Sequence, residues 1–199
     1  FTDASERTRV YDPEVQALIM KHSGASSVVV FDHTLRVTDE DGQKAIGARP
    51  TVKGVHNDYT ESSAPRRLRE IVGDEEAERR FSKRWAIVQV WRPIRGPVLM
   101  EPLGICDGRS IPQKGFIRVE RRYKYRTGEV YHIAHNPAHV WYWFPRMRPD
   151  EALVPQRIRA PLGMTHTQLR TDPLAVIPGR AETYWMREGG GFRRNHMWA

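Results

Sequence analysis

The sequence predicts a mainly β protein: a double-sheet sandwich of jelly-roll type with a few flanking α-helices. Three observations carry that expectation. From about residue 85 onward, short apolar runs rich in β-branched and aromatic residues recur, each bounded by Gly, Pro or Asp. Helix start and stop signals are confined to the first part of the chain. No regular alternation of strand-like with long helix-like segments occurs, which argues against an α/β fold.

In chain order, Asp12-Pro13-Glu14 reads as a cap, a proline at the first helical position and a first-turn acid. Val15, Leu18 and Ile19 then share one face, so a helix is expected to about Lys21. Ser26 to Phe31 reads as a strand. Ser63-Ala64-Pro65 starts a second helix carrying Leu68, Ile71 and Val72 and ended by Gly73, and Asp74-Glu75-Glu76 starts a third. In Trp85 to Trp91, positions 85, 87, 89 and 91 share one strand face. Strands are expected again at Val98 to Cys106, Phe116 to Tyr125, Val130 to Ala134, His139 to Phe144 and Thr183 to Met186. Glu188-Gly189-Gly190-Gly191 reads as a flexible exit.

The 199 residues, 39% hydrophobic and 28% charged, suit one domain spanning 1–199 with its core at about 26–187. The longest apolar runs, Val28 to Phe31 and Trp141 to Phe144, are far short of the roughly 18 residues of a membrane helix, so no membrane partner is expected. No cationic-then-apolar leader opens the chain, and a cytoplasmic location is the expectation. The single cysteine, Cys106, excludes an internal disulfide and a thiolate zinc finger. A net charge of +8 favours acidic substrates or partners. The basic pairs are scattered, which fits a solvated surface and a few site arginines better than a nucleic-acid stripe, so no nucleic-acid partner is expected.

Eight histidines compete for chemical roles. In His56-Asn57-Asp58, a strand-like context after Val52 and Val55 projects the imidazole and carboxylate from one face, where both reach one ion. Alone, such a pair is more often a surface hydrogen bond. His166, in an expected strand, offers a third ligand, and two imidazoles with one carboxylate form the facial set of non-haem Fe(II) oxygenases. Arg180, after a Pro-rich turn, then has a purpose: a 2-oxoglutarate chelated at its keto-acid end needs a forked, permanently charged donor for its far carboxylate. Pro137 breaks any helical ladder of His132, His135 and His139. The first two are expected near a hairpin turn made by Asn136-Pro137, with His139 in the next strand. His33 is expected to be a hydrogen-bonded structural residue.

A series of motifs in order strengthens this reading: Val30-Phe31-Asp32-His33-Thr34-Leu35-Arg36, Val55-His56-Asn57-Asp58-Tyr59-Thr60, Val90-Trp91-Arg92-Pro93-Ile94, Pro102-Leu103-Gly104-Ile105-Cys106-Asp107, Asn136-Pro137 leading to His139 through Phe144, and Pro149-Asp150-Glu151. Over about residues 28 to 187 they resemble the AsaB/CmcJ-type hydroxylase/desaturase family of natural-product biosynthesis. The resemblance implies a double-stranded β-helix oxygenase using Fe(II), 2-oxoglutarate and O2, with His56, Asp58 and His166 as iron ligands and Arg180 as the co-substrate's ion-pair partner. Two departures stand out. The family usually has Arg-x-Ser where this chain has Arg180-Ala181-Glu182, leaving Arg187 and Arg170 as rivals. An Asp-Ser-bearing segment before the distal histidine is shortened or absent after Leu153-Val154-Pro155.

The expected substrate is a small, carboxylate-bearing intermediate. Tyr59 flanks the metal motif, Trp141 offers an apolar wall and Arg92 a grip for a carboxylate. Gln89 shares a face with Trp91 and reaches either the co-substrate or a backbone partner. Two other function classes remain open at this stage: a non-catalytic β-sandwich binding module with a basic surface, and an iron oxidase independent of 2-oxoglutarate.

Overall fold

The computed structural model describes residues 1–154 with their side chains and residues 156–160, 184–187 and 191–194 by backbone. Phe1–Val52 forms one compact unit and Lys53–Ala199 a second.

The first unit is helical. Asp3 caps α1 (Ala4–Glu6), its carboxylate accepting the N–H groups of Ser5 at 2.8 Å and Glu6 at 3.1 Å. A π-helical turn, Arg7–Tyr11, leads into α2 (Asp12–Ser23). Asp12 is therefore not the cap its sequence context suggests: Tyr11 before it is already helical at φ −68°, and Asp12-Pro13 lies within helical turns that begin at Ala4. The helix ends at Gly24, whose φ of 70° is the left-handed conformation a glycine adopts without a Cβ clash. Ile19 is its buried residue. His33 is the structural histidine expected, its Nε2 lying 2.7 Å from Asp12 Oδ1.

Two expectations fail in this unit. Ser26 to Phe31 forms no strand: the carbonyl of Val28 accepts from the Gln16 side chain at 3.2 Å, and ladder pairing here is confined to a parallel bridge between Arg36 and Arg49. A run of β-formers without a neighbouring strand has nothing to pair with. The unpredicted α3 (Glu40–Ile46) is nucleated by Asp39, whose carboxylate accepts from Gly42 N at 2.6 Å. A glycine in its first turn lowers helix propensity and hides the signal.

In the second unit β1 (His56–Asn57) precedes α4 (Ser63–Val72) and α5 (Asp74–Phe81), both where predicted. Gly73, at φ 82°, turns the chain between them, and Arg69 joins the helices through Glu78 at 2.7 Å and by lying 4.8 Å from the Phe81 ring centre. The strands follow: β2 (Trp85–Val88), β3 (Gly104–Cys106), β4 (Phe116–Arg122), β5 (Thr127–Ile133), β6 (Trp141–Trp143), β7 (Glu151–Ala152), β8 (Gln156–Ala160), β9 (Tyr184–Arg187) and β10 (Gly191–Arg194). They form antiparallel sheets in the orders β1-β5-β4, β10-β9-β7, β2-β8 and β3-β6.

The described residues therefore mix helices with short strands and are not clearly mainly β as predicted, because the first unit pairs almost none of its backbone in ladders. The strands are also shorter than expected: of Val98 to Cys106 the last three residues form β3 against β6, while Val98 N donates singly to Met147 O at 2.8 Å. Gly191, expected in a flexible exit, opens β10 and lies opposite Arg187. The packed centre of the second unit is Ile105, Phe144, Met147 and Leu153, with Trp91, Val98, Leu103 and Tyr142 against it. Among the described residues no helix is long and apolar enough to cross a membrane.

Candidate metal centre

The geometry of the His-x-Asp motif is set by β5. Ile133 N donates to Val55 O at 3.2 Å, and the ladder continues with His56 opposite His132 and Asn57 opposite Tyr131. Asn57 is 2% exposed, while Asp58, in a bend just past the strand, leaves its side chain 44% exposed and within reach of His56. The His56 ring is oriented by its own chain: Nδ1 donates to Gly54 O at 2.9 Å, the carbonyl being able only to accept.

That hydrogen bond leaves Nε2 as the ring nitrogen that meets Asp58 Oδ1, 3.2 Å away. Two acceptors that close repel unless a proton or a cation lies between them. Bonds of about 2.1 Å from one metal to a nitrogen and an oxygen at right angles place those donors roughly 3 Å apart. The spacing thus fits one edge of an octahedral ion. A backbone carbonyl fixing the non-ligating ring nitrogen is the usual support of a metal-binding histidine.

Among the described residues no set of three His, Cys, Asp or Glu side chains forms a metal-holding group. His166 and Arg180, the expected third ligand and co-substrate arginine, lie outside the described residues.

The other candidates fall on separate elements. Tyr59 follows Asp58, its N–H donating to Asn57 Oδ1 at 3.4 Å and its hydroxyl hydrogen-bonding with Arg67 of α4. Gln89 and Arg92 are half-buried and flank Trp91, whose backbone exchanges two hydrogen bonds with Leu153 at 2.9 and 2.8 Å. Arg92 Nε also reaches Pro93 O at 3.5 Å. Trp141 lies in the β3-β6 sheet, 43% exposed beside Trp143, while Tyr142 turns inward to the core. His132 and His135 do not flank a hairpin at Asn136-Pro137. The hairpin joins β4 to β5, closed by Tyr123 N to Arg126 O at 2.8 Å, and β6 belongs to another sheet. His139 precedes β6, its N–H bonded to Asn136 O at 3.1 Å.

Sequence reasoning missed the polar cluster beneath the motif. Thr60, with no exposed surface, donates through Oγ1 to Glu129 Oε2 at 2.9 Å. Ser62 Oγ donates to the same oxygen, and Ser63 Oγ donates to the Glu129 carbonyl at 2.9 Å. The Ser62 hydroxyl, with Thr60 and then Arg66 and Arg118, holds the Glu129 carboxyl below its ordinary range against the opposing effect of burial. Thr60-Glu61-Ser62-Ser63 is legible as a helix-capping run; its partner 69 residues away is not.

Comparison with known proteins finds relatives named as iron- or 2-oxoglutarate-dependent enzymes. The chain is 32% identical over 169 residues to the alpha-ketoglutarate-dependent dioxygenase phiK of a fungal species, covering 77% of this chain and 57% of that protein. It is 29% identical over 177 residues to the hydroxylase/desaturase efuI of Hormonema carpetanum, covering 77% and 59%. A solved structure of the iron and alpha-ketoglutarate-dependent endoperoxidase NvfI superposes with a TM-score of 0.72 at 27% identity, over 86% of this chain and 58% of that one. The chain spans a little over half the length of these curated relatives. The model of the oxidoreductase/YMDC permease-like domain matches residues 1–158, and the hydroxylase/desaturase asaB of Aspergillus flavus is also among the relatives. The chain belongs to that domain family, with the hydroxylase/desaturases of AsaB type among its kin.

Proposed function

We propose that this chain carries the iron-binding part of a non-haem Fe(II)- and 2-oxoglutarate-dependent oxygenase that hydroxylates or desaturates a small, carboxylate-bearing natural-product intermediate. The observation that carries the reading is the 3.2 Å approach of His56 Nε2 to Asp58 Oδ1 with Nδ1 committed to Gly54 O. In this reading residues 1–199 are one oxygenase domain of jelly-roll type. The names of the relatives, dioxygenases and hydroxylase/desaturases, support the reaction class.

His56 and Asp58 hold the ion on one side, and His166 supplies the third position. Bound there, iron with 2-oxoglutarate and O2 provides an oxidant strong enough to remove hydrogen from an unactivated carbon. The protein's share is placement. Arg180 pairs with the far carboxylate of the co-substrate through a fixed, forked cation. Gln89 offers an amide to the same ligand. Arg92 attracts a substrate carboxylate, Trp141 supplies a broad apolar wall that excludes water, and Tyr59 borders the ion.

Anaerobic protein titrated with Fe(II) and then 2-oxoglutarate should develop the weak visible charge-transfer band of the chelate. Turnover after aeration should require the co-substrate. A protein that ignores iron and binds polyanions with steep salt dependence would be a binding module instead. Turnover without 2-oxoglutarate would make it an iron oxidase.

A further inference from the structure

Both ends of the chelating segment are referenced to one strand. On the upstream side, His56 is held in the β1–β5 ladder by the Val55–Ile133 and Asn57–Tyr131 positions. On the downstream side, two residues past Asp58, Thr60 is fixed to Glu129 on that same β5. The clamp is dense. Thr60 N donates to Ser63 Oγ at 2.9 Å, Ser63 N donates back to Thr60 Oγ1 at 3.1 Å, and Ala64 N donates to Thr60 O at 3.1 Å. The Glu129 side chain, 16% exposed, receives Thr60 and Ser62 on one oxygen and faces Arg66 across 3.6 Å on the other. Tyr131, next on the same face of β5, donates to Glu61. A three-residue chelate whose flanks were free would leave the carboxylate a cone of positions around the imidazole. Anchoring both flanks to one rigid strand removes that freedom before the ion arrives.

We propose that Glu129 is the positioning residue of the metal pair: by holding Thr60 and Ser62 against β5 it fixes where Asp58 presents its carboxylate to the ion bound by His56. The inference rests on the reading of His56 and Asp58 as ligands. Glu129 touches neither ion nor substrate and acts only through Thr60 and Ser62.

Cobalt(II) is the probe, because its visible ligand-field bands report coordination without turnover. In the full chain, Glu129→Ala is expected to weaken Co(II) binding about 10-fold, the lower end of the range for lost outer partners of metal ligands because Glu129 acts through Thr60 and Ser62, and to change the band shape. Glu129→Gln, which keeps an acceptor oxygen for Thr60 and Ser62, should restore most of the affinity. Thr60→Val, nearly isosteric, should weaken binding in the same direction and serves as the reporter if Glu129→Ala does not fold. Leu153→Ala controls for a general loss of stability and should bind Co(II) like the unaltered chain below its unfolding transition. Wild-type affinity and bands in folded Glu129→Ala and Thr60→Val would overturn the inference and leave the metal pair standing. Absence of Co(II) binding by the unaltered chain, or undiminished binding by Asp58→Ala, would overturn the metal reading itself and the inference with it.

Discussion

His56 faces His132 directly across the β1–β5 ladder. Because Ile133 N donates to Val55 O in the neighbouring pair, this is a non-bonded pair, in which Cα atoms approach to about 4.5 Å and the two side chains rise side by side. Two imidazoles stand on one face, and the question is which of them binds the ion. His56 has its ring fixed by Gly54 O and a carboxylate 3.2 Å from Nε2, and that pairing favours it. Iron analysis should therefore find full stoichiometry in His132→Ala and little iron in His56→Ala, Asp58→Ala and His166→Ala. Full iron in His166→Ala would move the third ligand elsewhere.

Arg180→Ala should raise the 2-oxoglutarate concentration needed for half-maximal turnover by one to two orders of magnitude, about the worth of a charged hydrogen-bonded pair, with iron content unchanged. An unchanged requirement would transfer the role to Arg187 or Arg170.

Asp107 is 5% exposed and accepts from Arg109 N and Nε, both at 2.9 Å, capping the turn Gly108–Ser110. The Arg109 side chain holds its carboxyl below the ordinary value of 3.8. A depressed folded value stabilises the native state fully above the ordinary one and is lost as pH falls through the depressed one. Asp107→Ala should destabilise the protein by about 1–2 kcal/mol at neutral pH. Thermal midpoints of the two proteins should run parallel from neutrality to just above 3.8 and converge only below it.

Cys106 is 4% exposed, and burial pushes its thiol above the ordinary value. With little thiolate and little access, the native thiol should react with iodoacetamide far more slowly than the guanidinium-unfolded chain at the same pH. Mass spectrometry of a labelling time course measures both rates.

Leu153 is 2% exposed in the centre of Ile105, Phe144 and Met147. Leu153→Ala should cost about 2–5 kcal/mol through lost burial and an unfilled cavity, read as a fall in the urea midpoint at constant slope.

What was legible in the chain follows the range of the interactions concerned. Ser63-Ala64-Pro65 and Gly73 announce α4 and α5 because helix starts and stops act within a few residues, whereas Asp12-Pro13 falls inside helical turns that already run from Ala4. The spacing of His56 and Asp58 marks them as a pair by strand periodicity, although Asp58 itself lies in a bend just past the strand. Ser26 to Phe31 misled because β-propensity describes fitness for a sheet and not the presence of a partner strand. Asn136-Pro137 was a turn, as its residues demand, yet which strands it separates depends on pairing far away in the chain.

The sequence by itself determined the local chemistry of this protein: helix ends, the paired imidazole and carboxylate, and the ordered motifs that marked its kin. Only the tertiary structure decided that β5 is the ruler of the metal pair, with His132 beside His56 and Glu129 beneath Thr60. The physical reason is that caps, turns and alternating faces arise from neighbouring dihedrals, whereas strand partnership and a carboxylate 69 residues from its donor depend on which distant segments the collapsed chain brings together.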